Sequence, residues 1–422
     1  MAFLPDARCG RVLAVLVAWL LFPPPSGALQ ITSGHAEPGR QICLDGTRKD
    51  GKNAESADTR NDLGIPDRDQ NRMEDARKEY EETLKTYREL AGKDPETYLP
   101  YVAATLNELG ILDSDQNRME KARKEYEEAL KIYRELAQKN SETYRPSVAA
   151  TLNNLGILDR DKNRMEEALK TYRELAQKDP ATYLLYVAIT RNNLGNLDSA
   201  QNRMKEGRKE YEEALKIYRE LAQKNPETYL PDVATMLNNL GILDSARNRM
   251  KEARKEHEEA LKTFRELAQK NPETYLPYVA ATLNNAGMLA RDQNRIEEAL
   301  KIYRELAQKD PQTFLPEVAL TLDDLGILDS AQNRMKEARK KYEEALKTYR
   351  ELAQKNPETY LPDVAMTLNN LGILDRDENR MAEAWKEYQE ALKIYEAFAK
   401  QDPEQFTSDV KRLKKLLREL PK

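Results

Sequence analysis

The chain has little of what most enzyme sites are built from. Its 422 residues include two histidines, His35 and His257, and two cysteines, Cys9 and Cys43. A His/Cys metal cluster or a thiol–imidazole pair needs such side chains at close spacing, and a disulfide framework needs more than two widely spaced cysteines, so these classes are excluded. With only 16 glycines there is no Gly-rich phosphate loop, and no CxxC or nucleophile motif occurs. An excess of one charge is also missing. Lys and Arg number 68 against 73 Asp and Glu, a net charge of −5. There is therefore no basic field to hold a phosphate backbone, which excludes nucleic acid as a partner. Aromatics make up 7% and β-branched residues are sparse. What remains is a third of charged residues with Ala and Leu, the composition of long, solvated helices.

The first 30 residues read as a processing signal. Arg8 and Arg11, diluted by Asp6, precede an apolar run from Val12 to Phe22, which Pro23 to Pro25 end. Eleven residues span about 16 Å as a helix, half a bilayer core, so the run suits a signal-peptide core and not a membrane anchor. Ser26 and Ala28 supply small residues for a peptidase, and cleavage is expected after Ala28. Export to a periplasmic or extracellular space follows. The mature chain would not insert in a membrane, would carry a net charge of −6, and would keep Cys43 as its lone thiol. Residues 29–54 are polar and Gly-rich and read as a flexible leader.

The remainder, residues 55–403, is one unit repeated eight times. Its marker is a block close to TLNNLGILD, with glycines at Gly64, Gly110, Gly156, Gly195, Gly241, Gly287, Gly326 and Gly372. Their spacings run 46, 46, 39, 46, 46, 39, 46, so the pattern recurs every 131 residues, as duplication of a three-unit block would produce. Each unit holds two helical patterns. In the last unit the first helix is expected to start near Pro362, with Asp363 beside its positive end, and to bury Val364, Leu368, Leu371 and Leu374. An Asn column (Asn71, Asn117, Asn163, Asn202, Asn248, Asn294, Asn333, Asn379) fits either a residue with positive φ or a helix cap. The second helix carries Met381, Ala384, Tyr388, Ala391, Leu392, Tyr395, Phe398 and Ala399 on one face, with Glu, Lys and Arg solvating the others. Asn-Pro-Glu-Thr stops the helix before it. The 39-residue units have lost a heptad from the second helix, two turns less about 20°, which keeps the apolar face inward. Gly372, Ala384 and their equivalents let the two helices approach, and Gly207 once replaces the Ala. Neither helix can bury its stripe alone, so the units must stack.

Leu-Gly, an Asn seven residues on (Gly372 to Asn379), then EA-x-x-x-Y-x-x-A-L resemble the tetratricopeptide repeat (TPR). The LNNLG block preceded by PDVA is similar to the long repeats of the kinesin light chain and nephrocystin type. The resemblance covers roughly residues 54–422. It implies an all-α fold, an α-solenoid in which antiparallel helix pairs wind into a right-handed superhelix. Asp stands where the family has Tyr three residues after the Gly (Asp67, Asp113, Asp159, Asp198, Asp244, Asp329, Asp375; Ala290 once). A carboxylate is disfavoured at a helix C-terminus, and it is expected to pair with the Arg of the following Asn-Arg-Met turn. At the ends, Pro66 and Asp62 mark the first unit as frayed. Residues 404–422 form a capping helix, with Phe406, Val410, Leu413, Leu417 and Leu420 inward and Lys411, Arg412, Lys414, Lys415 and Arg418 in water.

On the first helix, Met366, Asn369, Asn370, Ile373, Arg376 and Asp377 lie opposite Leu368, Leu371 and Gly372. The resemblance implies that this stripe lines a concave groove that binds peptides. Its inner Asn column is Asn154, Asn193, Asn239, Asn285 and Asn370, with Asp62, Glu108 and Asp324 as exceptions. Carboxamides both donate and accept, so a row of them suits an extended backbone of any sequence, and the related long repeats use their Asn this way. The Lys and Arg of a chaperone-type carboxylate clamp are absent from these columns. His257 takes the place of Tyr126 and Tyr211 and reads as a packing substitute; the Tyr columns read as core. The expected function is a non-enzymatic scaffold, without cofactor or metal, for an unknown protein or peptide. A structural or self-associating array without a groove ligand is the alternative, distinguished by substituting Asn239 and Asn285.

Overall fold

The computed structural model describes residues 73–116 and 118–420. The expected processing signal, the leader and the first helix of the first unit lie outside the described residues, as do both cysteines and Asn117. The described residues form sixteen helices and no strand. In chain order these are α1 (Met73–Ala91), α2 (Pro95–Asp115), α3 (Met119–Lys139), α4 (Ser141–Leu158), α5 (Lys162–Lys178), α6 (Pro180–Ala200), α7 (Met204–Lys224) and α8 (Pro226–Ala246). They continue as α9 (Met250–Lys270), α10 (Pro272–Ala290), α11 (Gln293–Lys309), α12 (Pro311–Ala331), α13 (Met335–Lys355), α14 (Pro357–Asp377), α15 (Met381–Phe398) and α16 (Pro403–Glu419). Among the described residues no helix is long and apolar enough to cross a membrane. There are two compact units, one up to Met236 and one from Leu237. Within each, helices pack on their sequence neighbours, and successive first helices also touch: α2 with α4 and α4 with α6 in one unit, α10 with α12 and α12 with α14 in the other.

The sequence explains where the first helices begin. Asp94, Asp179, Asn271 and Asp310 accept from the backbone N–H of the Thr three residues on, at 3.2–3.3 Å, and Pro follows each as the first helical residue. Asn-Pro-Glu-Thr therefore starts one helix as it stops another. The expected start near Pro362 is corrected: α14 begins at Pro357, Pro362 lies inside it, and Asp363 is not at its end. Pro362 removes one bond, to the carbonyl of Glu358, which is exposed and can take water instead.

The Asn column resolves into two roles. Asn202, Asn248, Asn333 and Asn379 close the first helices with φ of 59–64°. The next N–H, that of Arg203, Arg249, Arg334 or Arg380, then donates to the carbonyl five residues back at 2.7–2.8 Å. In the two short units Arg160 and Arg291 take the left-handed position (φ 52° and 53°), and Asn163 and Asn294 fall in the next helix, bonded to the caps Asp161 and Asp292. The lost heptad is thus shared, not taken from the second helix alone. First helix α4 ends at Leu158, two residues past Gly156, where α6 ends at Ala200, five past Gly195; second helix α5 has 17 residues against 21 in α7.

Second helices bury one face, including Tyr80, Tyr126, Tyr211 and Tyr388, each at most 1% exposed. These rings lie on the glycines: a Cβ at Gly372 would stand 2.6 Å from Tyr388 Cε1, and at Gly110 2.6 Å from Tyr126 Cε1. In the short units Met165 and Ile296 fill the space beside Gly156 and Gly287. Gly207 lies against Ser199 and the Gly195 carbonyl. His257 fills the tyrosine slot beside Gly241. Helix α16 packs on α15 through Phe406, stacked on Tyr395 and edge-on to Phe398, with Leu413 and Leu420 buried and Val410 and Leu417 half-buried. Its basic side chains are largely exposed or ion-paired, Lys414 to Glu396 at 2.8 Å and Arg412 to Asp409 at 2.7 Å.

Candidate functional site

Within each compact unit, neighbouring first helices also meet one another. The carboxamides there bond to one another. Asn154 Nδ2 donates to Asn107 Oδ1 at 3.4 Å and Asn193 Nδ2 to Asn153 Oδ1 at 3.3 Å in one unit. In the other, Asn285 Nδ2 donates to Asn238 Oδ1 at 3.3 Å and Asn284 Nδ2 to Asp324 Oδ2 at 2.6 Å. The expected groove column is corrected accordingly: Asn154, Asn193 and Asn285 are buried at 2–3% exposure and form rungs between repeats. In the unit from Leu237 onward, Asn239 and Asn370 are half-buried and keep surface on the stripe, as does the half-buried Met366. Buried amides must be paired, and a ladder does this while holding the first helices in register.

At the turn end of each pair a second polar system repeats. Asp113, Asp198, Asp244, Asp329 and Asp375 are at most 1% exposed. As expected, each takes the Arg of the following turn: Arg118 Nε at 2.6 Å, Arg203 Nε at 2.7 Å, Arg334 Nε at 2.8 Å, Arg380 Nε at 2.6 Å and, more loosely, Arg249 at 3.6 Å. Asp159 takes Arg164 at 2.7 Å. A second cation comes from the preceding second helix, 36 residues earlier: Arg77 to Asp113, Arg123 Nε to Asp159 at 2.8 Å, Lys162 to Asp198 at 2.9 Å, and Arg339 to Asp375. Asp113, Asp159, Asp198 and Asp375 are thus clasps between adjacent repeats, and two cations offset the disfavoured position of each at a helix end; 36 residues before Asp329 stands Gln293.

These glycine-anchored pairs, with clasps and caps recurring at the turns, are a repeat architecture, and models of the tetratricopeptide repeat match residues 55–135, 101–179, 186–266, 232–312, 278–351 and 364–397. The chain belongs to the tetratricopeptide-repeat family. No curated protein sequence matches it. Similar solved structures include BtubC (BKLC) from P. vanneervenii, at 23% identity and TM-score 0.43, covering 57% of this chain and 91% of that one. A Rap protein complexed with competence and sporulation factor has 13% identity and TM-score 0.49, covering 84% and 90%. The apo quorum sensor NprR from B. thuringiensis has 18% identity and TM-score 0.44, covering 72% and 82%.

Within this TPR array the stripe becomes acidic in one stretch. Asp323 and Asp324 of α12 are buried, and Glu317 of α12 and Asp363 of α14 are half-buried. Burial pushes Glu317, Asp324 and Asp363 up to about 7 and raises Asp323 as well. Asp323 accepts from Thr367 Oγ1 at 2.6 Å. Burial likewise lifts Glu125 and Glu387, beside the clasp carboxylates Asp113 and Asp375, to about 8. Arg191 takes the place that Leu106, Leu152 and Leu368 hold in other repeats; it is 3% exposed and pairs with Glu210 and Glu213. Sequence reasoning passed over Arg191, Glu317 and Asp323 and noted Asp324 only as an exception in the Asn column, although Arg for Leu at 191 and Asp-Asp for Asn-Asn at 323–324 are legible as breaks in their columns. His257 is buried with neither ring nitrogen bonded, and burial lowers it to about 4, in keeping with a packing role.

Proposed function

We propose that the array is a protein-interaction scaffold without chemistry of its own, binding an extended peptide or partner segment along the part of the first-helix stripe that stays accessible. The observation that carries this reading is that part of the amide row is buried while Asn239 and Asn370 keep accessible surface. The buried members tie neighbouring first helices together, so that in the unit from Leu237 onward Asn239 and Asn370, with Met366, keep surface held in place before a ligand arrives. Pre-organisation of this kind reduces the ordering cost of binding, and a carboxamide can donate to and accept from a peptide backbone.

The test compares partner capture from the native source by the wild type, by the double variant Asn239→Ala/Asn370→Ala, and by Asn154→Ala. The proposal requires the double variant, still folded, to lose partners, and Asn154→Ala to lose stability while the folded fraction still captures them. Full retention by the double variant would refute the groove and favour a structural or self-associating array. We place the chain outside the cytosol on the strength of its N-terminal run; fractionation with sequencing of the mature N-terminus, expected at Leu29, decides that.

A further inference from the structure

The clasp has one gap. In the 131-residue periodicity, Arg123, Glu127, Asp159, Arg160, Asp161 and Arg164 correspond to Arg254, Glu258, Ala290, Arg291, Asp292 and Arg295. The earlier set holds its carboxylate in full: Arg123 Nε at 2.8 Å and Arg164 at 2.7 Å both reach Asp159. The later set keeps both arginines and lacks the carboxylate. Arg295 turns to Glu258 at 2.7 Å and to the cap Asp292 at 3.2 Å. Arg254 has no ion pair with any described residue, and it is exposed. Between them lies an open cleft of about 560 Å³, lined also by Ala290 and by Arg291, which has a left-handed backbone. Three guanidinium groups face two carboxylates there, a surplus of one positive charge.

We propose that this cleft is a carboxylate-binding site, in which an incoming carboxylate takes the place of the missing Asp side chain and bridges Arg254 and Arg295. The sister unit shows that the equivalent pair, Arg123 and Arg164, at the same sequence spacing on α3 and α5, holds a carboxylate. Paired guanidinium donors suit carboxylate oxygens, because both ends of each bond are charged. Arg291 and Asp292 take the places that Arg376 and Asp377 hold at the end of the first-helix stripe, but the two arginines that would bridge the carboxylate, Arg254 and Arg295, lie on second helices, so their test is separate from that of Asn239 and Asn370. Its ligand is a small organic acid or an acidic side chain of a protein; the two share the chemistry and differ in source.

Arginine Nε–H resonances of the full chain, assigned through Arg254→Lys and Arg295→Lys, are followed during titration with sodium acetate, with sodium chloride at equal ionic strength, and with acetyl-Ala-Asp-Ala-amide. The proposal expects acetate to move the Arg254 and Arg295 signals in a saturable way that chloride does not reproduce. Ala290→Asp, which refills the clasp from within, should abolish the response or weaken apparent affinity at least tenfold. Ala290→Asn, neutral and of the same size, should keep part of it. Tighter binding of the peptide assigns the site to a protein's acidic side chain, and equal or weaker binding to a small acid; both support a carboxylate site. Shifts no larger than with chloride, shifts spread over exposed arginines, or an unchanged response in Ala290→Asp would overturn it.

Discussion

Replacing His257 with tyrosine should make the C-terminal compact unit more resistant to acid, by an amount the structure sets. His257 is 1% exposed, stands in a column that is otherwise tyrosine in the long units, and has neither nitrogen bonded. Burial lowers it from 6.5 to about 4, with the positive charge of Arg295 adding to the effect. The unfolded chain therefore binds a proton between pH 6.5 and 4 that the folded chain refuses, and stability falls as pH drops through that window. With these two values the loss is about 2 kcal/mol between pH 7 and 5, and about 3 kcal/mol once both states are protonated. His257→Tyr removes this dependence. Buried carboxylates such as Asp324 shift stability with pH in the opposite sense, but they are common to both proteins and cancel in the difference. Urea unfolding, followed by the fluorescence of Trp385, should show the variant gaining about 2 kcal/mol relative to wild type on going from pH 7 to 5. Direct titration of the histidine ring protons is simple, since His35 is the chain's other histidine. Equal stability differences at the two pH values, or a His257 midpoint near 6.5, would refute the reasoning.

Gly372→Ala should destabilise in spite of alanine's better helix propensity of about 1 kcal/mol. The new Cβ meets Tyr388 at 2.6–3.1 Å, and overpacking of this kind costs about 1–3 kcal/mol. Gly241→Ala, where the nearest atoms are those of the smaller His257 ring at 2.8–2.9 Å, should lose less; thermal denaturation of the two variants side by side ranks them. Asp324→Asn should stabilise at alkaline pH and do little in acid. Asp324 titrates at about 7 when folded and 3.8 as its ordinary value, so its contribution is present below 3.8 and is lost as pH rises through 7. The gain is up to about 4 kcal/mol at pH 8 and small at pH 4, and no gain at pH 8 would show that Asp324 ionises freely in the folded chain.

Much of this protein was legible in the chain itself, because the relevant periods are local. A helix turns every 3.6 residues, so Tyr80, Tyr126 and Tyr388 declared a buried face, Gly372 a close approach, and the 46/46/39 spacing a stack. The Asp–Arg clasp followed from an unfavourable carboxylate at a helix end and a cation five residues on. The start of α14 was misplaced because Asn-Pro-Glu-Thr carries a stop for one helix and a cap for the next, and both readings satisfy the same residues. Tertiary packing decided the rest. A helical wheel shows that Asn154 and Asn285 lie opposite the second helix, but whether that side meets solvent or another helix depends on how closely successive repeats approach. That distance is set by side chains 40 or more residues away, and it turned three expected groove amides into internal rungs. The division of the lost heptad between two helices, and the arginines left facing each other around Ala290, are likewise outcomes of packing between segments that no local window contains.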